Sequence, residues 1–246
     1  VYALTNSVPP QPGGEVIAVA VTGAPRLWLI VLFPAVGALS GAILAHLLAP
    51  EARGPGGDAF LDAFHNRRGL VRPQVPLVKG VASVLVLASG GSAGREGPIM
   101  QIGGGIGSAL GQLLRLSDRD CRTLLVAGAA AGMAAIFRTP LGAAILAIEI
   151  LYRDDFEARA FIPAVIAAVV SYSVFTVVFG AQPLFAIPGR YPFRPALLPL
   201  YAVMAVVVSL GGRVFVLMLH GLRDGFFGKL PLPIWVVPAL GGFLTG

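Results

Sequence analysis

The sequence predicts an all-α, polytopic membrane protein built from tilted and broken helices, and three observations lead there. Hydrophobic residues make up 56% of the 246 residues and charged residues only 12%. A soluble domain carries about a quarter charged residues, so this chain has too few charges to cover a water-facing surface. The second observation is length: the uninterrupted apolar run Leu27–Leu48 has 22 residues, enough to cross a hydrocarbon core about 30 Å thick. The third is that the apolar runs between residues 75 and 150 are short, broken by Gly or Pro, and carry charges. Broken helices occur at membrane depth only where protein or a water-filled cavity shelters the freed backbone. In transporters they often mark the substrate site.

Taken in order, residues 1–26 read as an extramembrane loop segment and Leu27–Leu48 as the first span. A polar stretch follows, containing GPGGDAFLDAFHNRRG, in which Asp58 is expected to N-cap a short helix ending at His65. The preceding Gly54-Pro55-Gly56-Gly57 reads either as a turn before a capped surface helix or as backbone able to approach a ligand. Residues 75–89 are apolar but for Lys79, and residues 99–114 are apolar and full of glycine. The charged turn SDRDCR leads into the run 124–151, which carries Arg138, Pro140 and Glu149. Pro140 fits a helix start, and Glu149 falls near that helix's far end, where it also reads as a carboxylate at the membrane surface. After RDDFEAR come two ordinary spans, 161–179 and 196–219, and another begins at Ile234. Glycines spaced by four, Gly37/Gly41, Gly103/Gly107/Gly111 and Gly128/Gly132, predict closely packed helices. The chain starts at Val1 and stops at Gly246 inside an apolar run, so a longer protein is expected.

Several function classes find no support in these residues. The net charge of +6 comes from basic residues scattered through short loops, as in membrane proteins, without the basic and aromatic interleaving of nucleic-acid binders. Cys121 has no partner for an internal disulfide, and His46, His65 and His220 show no metal-ligand spacing. GGGIGS lacks the third glycine of GxGxxG, and neither GxSxG nor HExxH occurs. The chain reads as neither enzyme nor cofactor protein.

The chemistry concentrates in GREGP, residues 94–98. A helix expected to start at Pro98 would aim its unpaired N–H groups and positive dipole end at Glu96 and Gly97. Gly94 and Gly97 let a bound species approach the backbone, and such a terminus attracts anions. Glu96 would then be a tethered anion that fills the site when ionised and vacates it when protonated. The alternative is a glutamate that caps the helix or pairs with Arg95.

Together, GREGPIMQIGGGIG at 94–107, GAAAGMAAIFRTPLGAAILAIE at 128–149 and APEARGPGG at 49–57 resemble, in order and spacing, the CLC family of chloride channels and proton-coupled chloride antiporters. The resemblance covers residues 27–246. It implies a CLC-type bundle built from two inverted repeats and only partly covered by this chain, the first repeat running to about residue 190 and the second starting over 196–246. It also implies a homodimer with one anion pathway per subunit, chloride as the transported ion, and no cofactor. By position, Glu96 resembles the family's gating glutamate and proton acceptor. Backbone around Arg95, Glu96 and Gly97 would line the outer anion site, and Gly54-Pro55-Gly56 the central and inner ones.

Two departures shape the expectation. Where the family's GSGIP has serine this chain has Pro55, which offers neither hydroxyl nor N–H, and nitrate becomes a candidate beside chloride. Where antiporters carry a second acid in an IEE-like sequence this chain reads Ile148-Glu149-Ile150, leaving Glu149 as the residue for a proton route. Ile150 therefore favours a voltage-gated chloride channel gated by Glu96, with anion/proton antiport as the alternative. An unrelated secondary carrier or a non-transporting membrane scaffold are the readings from other classes.

Overall fold

A computed structural model describes residues 27–152, 155, 157–181, 194–229, 233 and 236–245. The expected loop segment 1–26 and the expected repeat boundary near residue 190 lie outside them. Among the described residues there is no strand, and the α-helices are α1 (Leu27–Leu48), α2 (Gly57–His65), α3 (Gln74–Ala88), α4 (Glu96–Leu113), α5 (Asp118–Phe137), α6 (Pro140–Glu149), α7 (Ala158–Phe179), α8 (Leu198–His220) and α9 (Val237–Thr245). Helices α1, α5, α7 and α8 are long and apolar enough to cross a membrane, whereas α3 and α6 are shorter apolar helices. The chain is a multi-pass integral membrane protein.

The run 124–151 is divided between two helices, and the break has a local cause. Arg138 caps α5 in the left-handed conformation (φ 55°) while its N–H still reaches Ala134 O at 2.9 Å. Pro140 then opens α6 at a position where a missing N–H costs nothing. At the other end of α5, Ser117 is an N-cap whose hydroxyl accepts from the Asp120 N–H.

Helix α5 is the centre of the bundle. Its Leu125, Val126, Ala129, Ala130, Met133 and Ala134 are buried against Ala143, Ala144, Ala147 and Ile148 of α6 and Ala160, Ala164 and Ala168 of α7. A core this rich in alanine brings helices close, as expected where packing rather than water exclusion drives association. The four-spaced glycines take this furthest. A Cβ on Gly128 would strike the backbone of Gly103 and Gly107, and one on Gly132 the carbonyl of Ile99. Helices α4 and α5 thus meet backbone to backbone. Helix α8 buries none of its residues, and its apolar side chains point outward all round, a pattern suited to lipid or to further helices.

Candidate functional site

Helix α4 begins at Glu96, two residues before the expected Pro98 start, because the Ile99 N–H already donates to Arg95 O at 3.1 Å. Pro98 sits in the first turn, where backbone N–H groups have no intrahelical acceptor and proline therefore sacrifices nothing. The N–H groups of Glu96 and Gly97 are left facing out of the helix end, with the positive end of the dipole behind them. The Glu96 carboxylate folds back over Gly94, since a Cβ built there would meet its Oε2.

A second helix end arrives at the same place. The N-cap of α2 is Gly56, left-handed at φ 102°, and not Asp58, which falls inside the first turn. Only glycine adopts that conformation without strain, so the cap is made by the backbone and no side chain is needed. The first intrahelical bond of α2 is Phe60 N to Gly56 O at 3.1 Å, which leaves the N–H groups of residues 57–59 without helical acceptors. The loop lies directly on α4. A Cβ on Gly97 would collide with the Pro55 carbonyl and stand 3.4 Å from Gly57 N, and a Cβ on Gly56 would stand 2.6 Å from Gly97 O. Two glycines in contact bring two helix N-termini together, an arrangement that attracts anions.

The α4 terminus and the loop before α2 open onto a cavity of about 870 Å³ whose wall includes Gly54, Pro55, Glu96, Gly97 and Pro98, whereas Gly56 and the first turn of α2 lie behind that wall. Lys79, which as a sequence feature only interrupts an apolar run, is on this wall. It is 4% exposed and its Nζ donates to Ala52 O at 3.0 Å and Gly54 O at 2.7 Å. Those bonds satisfy a cation that would otherwise be costly to bury, and they clamp the loop on both sides of Arg53. Arg53 and Arg223 are on the wall as well. Arg223 has carboxylates beside it, Asp224 at 3.7 Å and Asp58 at 4.0 Å.

The other expected site residues fall elsewhere. Arg95 is the N-cap of α4 and contributes no part of the cavity wall. Glu149 is the exposed last residue of α6, away from that wall, with Ile150 as C-cap. The turn after it is tied to α2, because His65 Nε2 lies 2.8 Å from Leu151 O and the His65 ring meets Tyr152 edge-on at 5.4 Å. Arg138, which has no evident role as a sequence feature, stacks its guanidinium 5.6 Å from the Phe175 ring and so pins the α5–α6 break to α7.

Charged residues near the loop brace it from the other side. Glu51, in the 3₁₀ turn Pro50–Ala52, pairs with Arg72 and, at 3.7 Å, with Arg67. The hydrogen bond from Arg72 is the main cause that holds the Glu51 carboxyl below the usual glutamate range. Gln101 of α4 donates from Nε2 to Glu51 O at 2.7 Å, joining this turn to the helix that carries Glu96.

Fold and site together define a helical membrane protein with a charged cavity walled by the α4 N-terminus and the loop before α2. Comparison with known proteins makes this specific. Residues 36–246 match the family model described as voltage gated chloride channel. The chain belongs to this family, the CLC family. It is 32% identical over 203 residues to the H(+)/Cl(-) exchange transporter ClcA of Vibrio vulnificus, covering 81% of this chain and 44% of that protein. It is 31% identical over 223 residues to a chloride/fluoride channel protein of Pseudomonas syringae pv. tomato, covering 88% of this chain and 47% of that one. The crystal structure of a slow cyanobacterial Cl-/H+ antiporter superposes with a TM-score of 0.72 at 22% identity, over 89% of this chain and 52% of the other, and so shares the fold. The chain spans about half the length of these relatives.

Proposed function

We propose that the protein containing this chain exchanges a small inorganic anion, chloride or nitrate, for protons across a membrane, as a homodimer with one pathway in each subunit. The observation that carries the proposal is a cavity whose wall bears Glu96 at the α4 N-terminus together with Gly54 and Pro55 of the loop packed on it. An ionised Glu96 competes with the transported anion for the helix ends. Protonation removes its charge, so the carboxyl leaves the site to the anion and carries a proton as it does. Lys79, held by the Ala52 and Gly54 carbonyls, brings an amino group to the same wall. Glu149 is the proposed entry for protons from the face on which α6 ends.

Exchange is favoured over the channel that Ile150 alone suggests, because relatives of this chain are described as exchange transporters and the structural neighbour as an antiporter. The channel stands as the second reading on the strength of Ile150 and of the chloride/fluoride channel relative. The complete protein in proteoliposomes separates the two. At a fixed anion gradient, an imposed pH gradient shifts the reversal potential of an exchanger and leaves that of a channel in place. Absence of any chloride or nitrate flux at every pH would refute both.

A further inference from the structure

Arg53 stands immediately before Gly54-Pro55-Gly56 and lies on the cavity wall. Its guanidinium is held in position: Nε donates to Pro50 O at 3.0 Å, and Nη1 lies 3.3 Å from His46 Nδ1, which accepts. The backbone on either side is fixed by Lys79, through Ala52 O and Gly54 O. A guanidinium has five N–H donors, so among the described residues these two bonds leave three unused. Among the described residues no carboxylate lies within salt-bridge distance of it, in contrast to Arg223, which has Asp224 and Asp58 beside it. Pro55, two residues on, has no N–H to offer to an anion.

We propose that Arg53 is the docking residue for anions at the mouth of this cavity, and that its planar fork selects planar oxyanions over spherical halides. The inference rests on the proposed anion transport. The physical basis is shape. Two parallel N–H groups of a guanidinium match two oxygens of a planar oxyanion, whereas an ammonium such as that of Lys79 is a point charge without shape preference. The loop thus loses a backbone donor at Pro55 and gains side-chain donors at Arg53. Lys79 supplies an amino group to the wall, and Arg53 supplies discrimination.

The test measures nitrate and chloride flux by the complete protein in proteoliposomes, as half-saturation and maximal rate, for the unmodified protein, R53Q and R53K. In R53Q the half-saturation for nitrate rises by about fivefold, the ceiling for an exposed ion pair, with a smaller rise for chloride and little change in maximal rate. In R53K the half-saturation for chloride returns toward the unmodified value, but the preference for nitrate over chloride does not. Unchanged half-saturation and an unchanged ratio in both variants would overturn the proposal while leaving anion transport intact. No flux in the unmodified protein would instead sink the functional reading. Should R53Q fail to assemble, the R53K ratio decides: a fall supports the proposal and an unaltered ratio refutes it.

Discussion

Gly97→Ala places one methyl group at the contact on which the candidate site depends. The new Cβ would stand 2.9 Å from the Pro55 carbonyl carbon and closer still to its oxygen. Ordinary carbon–carbon contacts lie at about 3.5–4.0 Å, and the nearer oxygen sets the larger demand, so the loop and α4 must part by about 1 Å or more. Backbone forms both sides of the contact, and no flexible side chain can yield. Overpacking of this kind costs about 1–3 kcal/mol. Alanine in place of glycine in a helix returns up to about 1 kcal/mol, so the net loss of stability at full return is no more than about 2 kcal/mol. The functional cost is larger, since a displacement of about 1 Å in a positioned site typically costs on the order of a hundredfold in rate. Gly142→Ala in α6 is the control, because its Cβ would meet only Thr139, at 3.6 Å and beyond, in ordinary contact. Anion flux in proteoliposomes and unfolding midpoints in detergent are measured for both variants. We expect G97A to lose at least about tenfold in flux with a midpoint only modestly lowered, and G142A to retain flux. A G97A protein with flux within about twofold of unmodified would refute the placement of loop 54–57 on the α4 terminus.

Three further outcomes follow from the same geometry. Glu96→Gln mimics the protonated carboxyl, so flux becomes less pH-dependent and uncoupled from protons; unaltered pH dependence would remove Glu96 from the gate. Pro55→Ser restores a hydroxyl and an N–H to the loop and moves selectivity from nitrate toward chloride, measured as the flux ratio of the two ions. Glu51 has its carboxyl held low by Arg72, so its contribution to stability is complete above the ordinary glutamate pKa and is lost as pH falls through the lowered value. Unfolding midpoints of the unmodified protein and Glu51→Gln therefore differ by a constant amount above the ordinary glutamate range and converge as pH falls through the lowered value of Glu51. Parallel curves across that range would show that the Glu51–Arg72 pair does not brace the turn.

Much of the fold was legible because lipid leaves few choices. An apolar run of the right length becomes a helix, and α1 has the bounds its run predicts. The break at Arg138–Pro140 was visible because proline announces a helix start. Other helix starts were misplaced, at α4 even with a proline as marker. Helix α4 begins two residues early, since Arg95 O accepts from Ile99 and extends the helix backward through a glycine that no propensity rule would favour. Asp58 lost the cap to Gly56, because a left-handed glycine closes the turn through its own backbone. Side-chain rules do not see that competition.

The site divides along the same line. Glu96 stood out because a carboxylate between glycines in an apolar chain demands a reason, and the glycines themselves record how closely loop and helix approach. Lys79 and Arg53 carried no comparable signal. Lys79 is a lone cation in an apolar run, and a lone cation reads equally as a helix end at the surface; what distinguishes it is a pair of carbonyls 25 and 27 residues earlier in the chain. Arg53 sits beside a motif and looks like one more loop arginine until His46, Pro50 and the cavity wall are seen around it. Lys79 belongs to the site through long-range contacts that no spacing encodes, and Arg53 through its place on the cavity wall. The carboxylate proposed as the gate was therefore readable in one dimension, whereas the cations proposed to attract and sort the anion became visible only once α1, the loop and α3 were folded against one another.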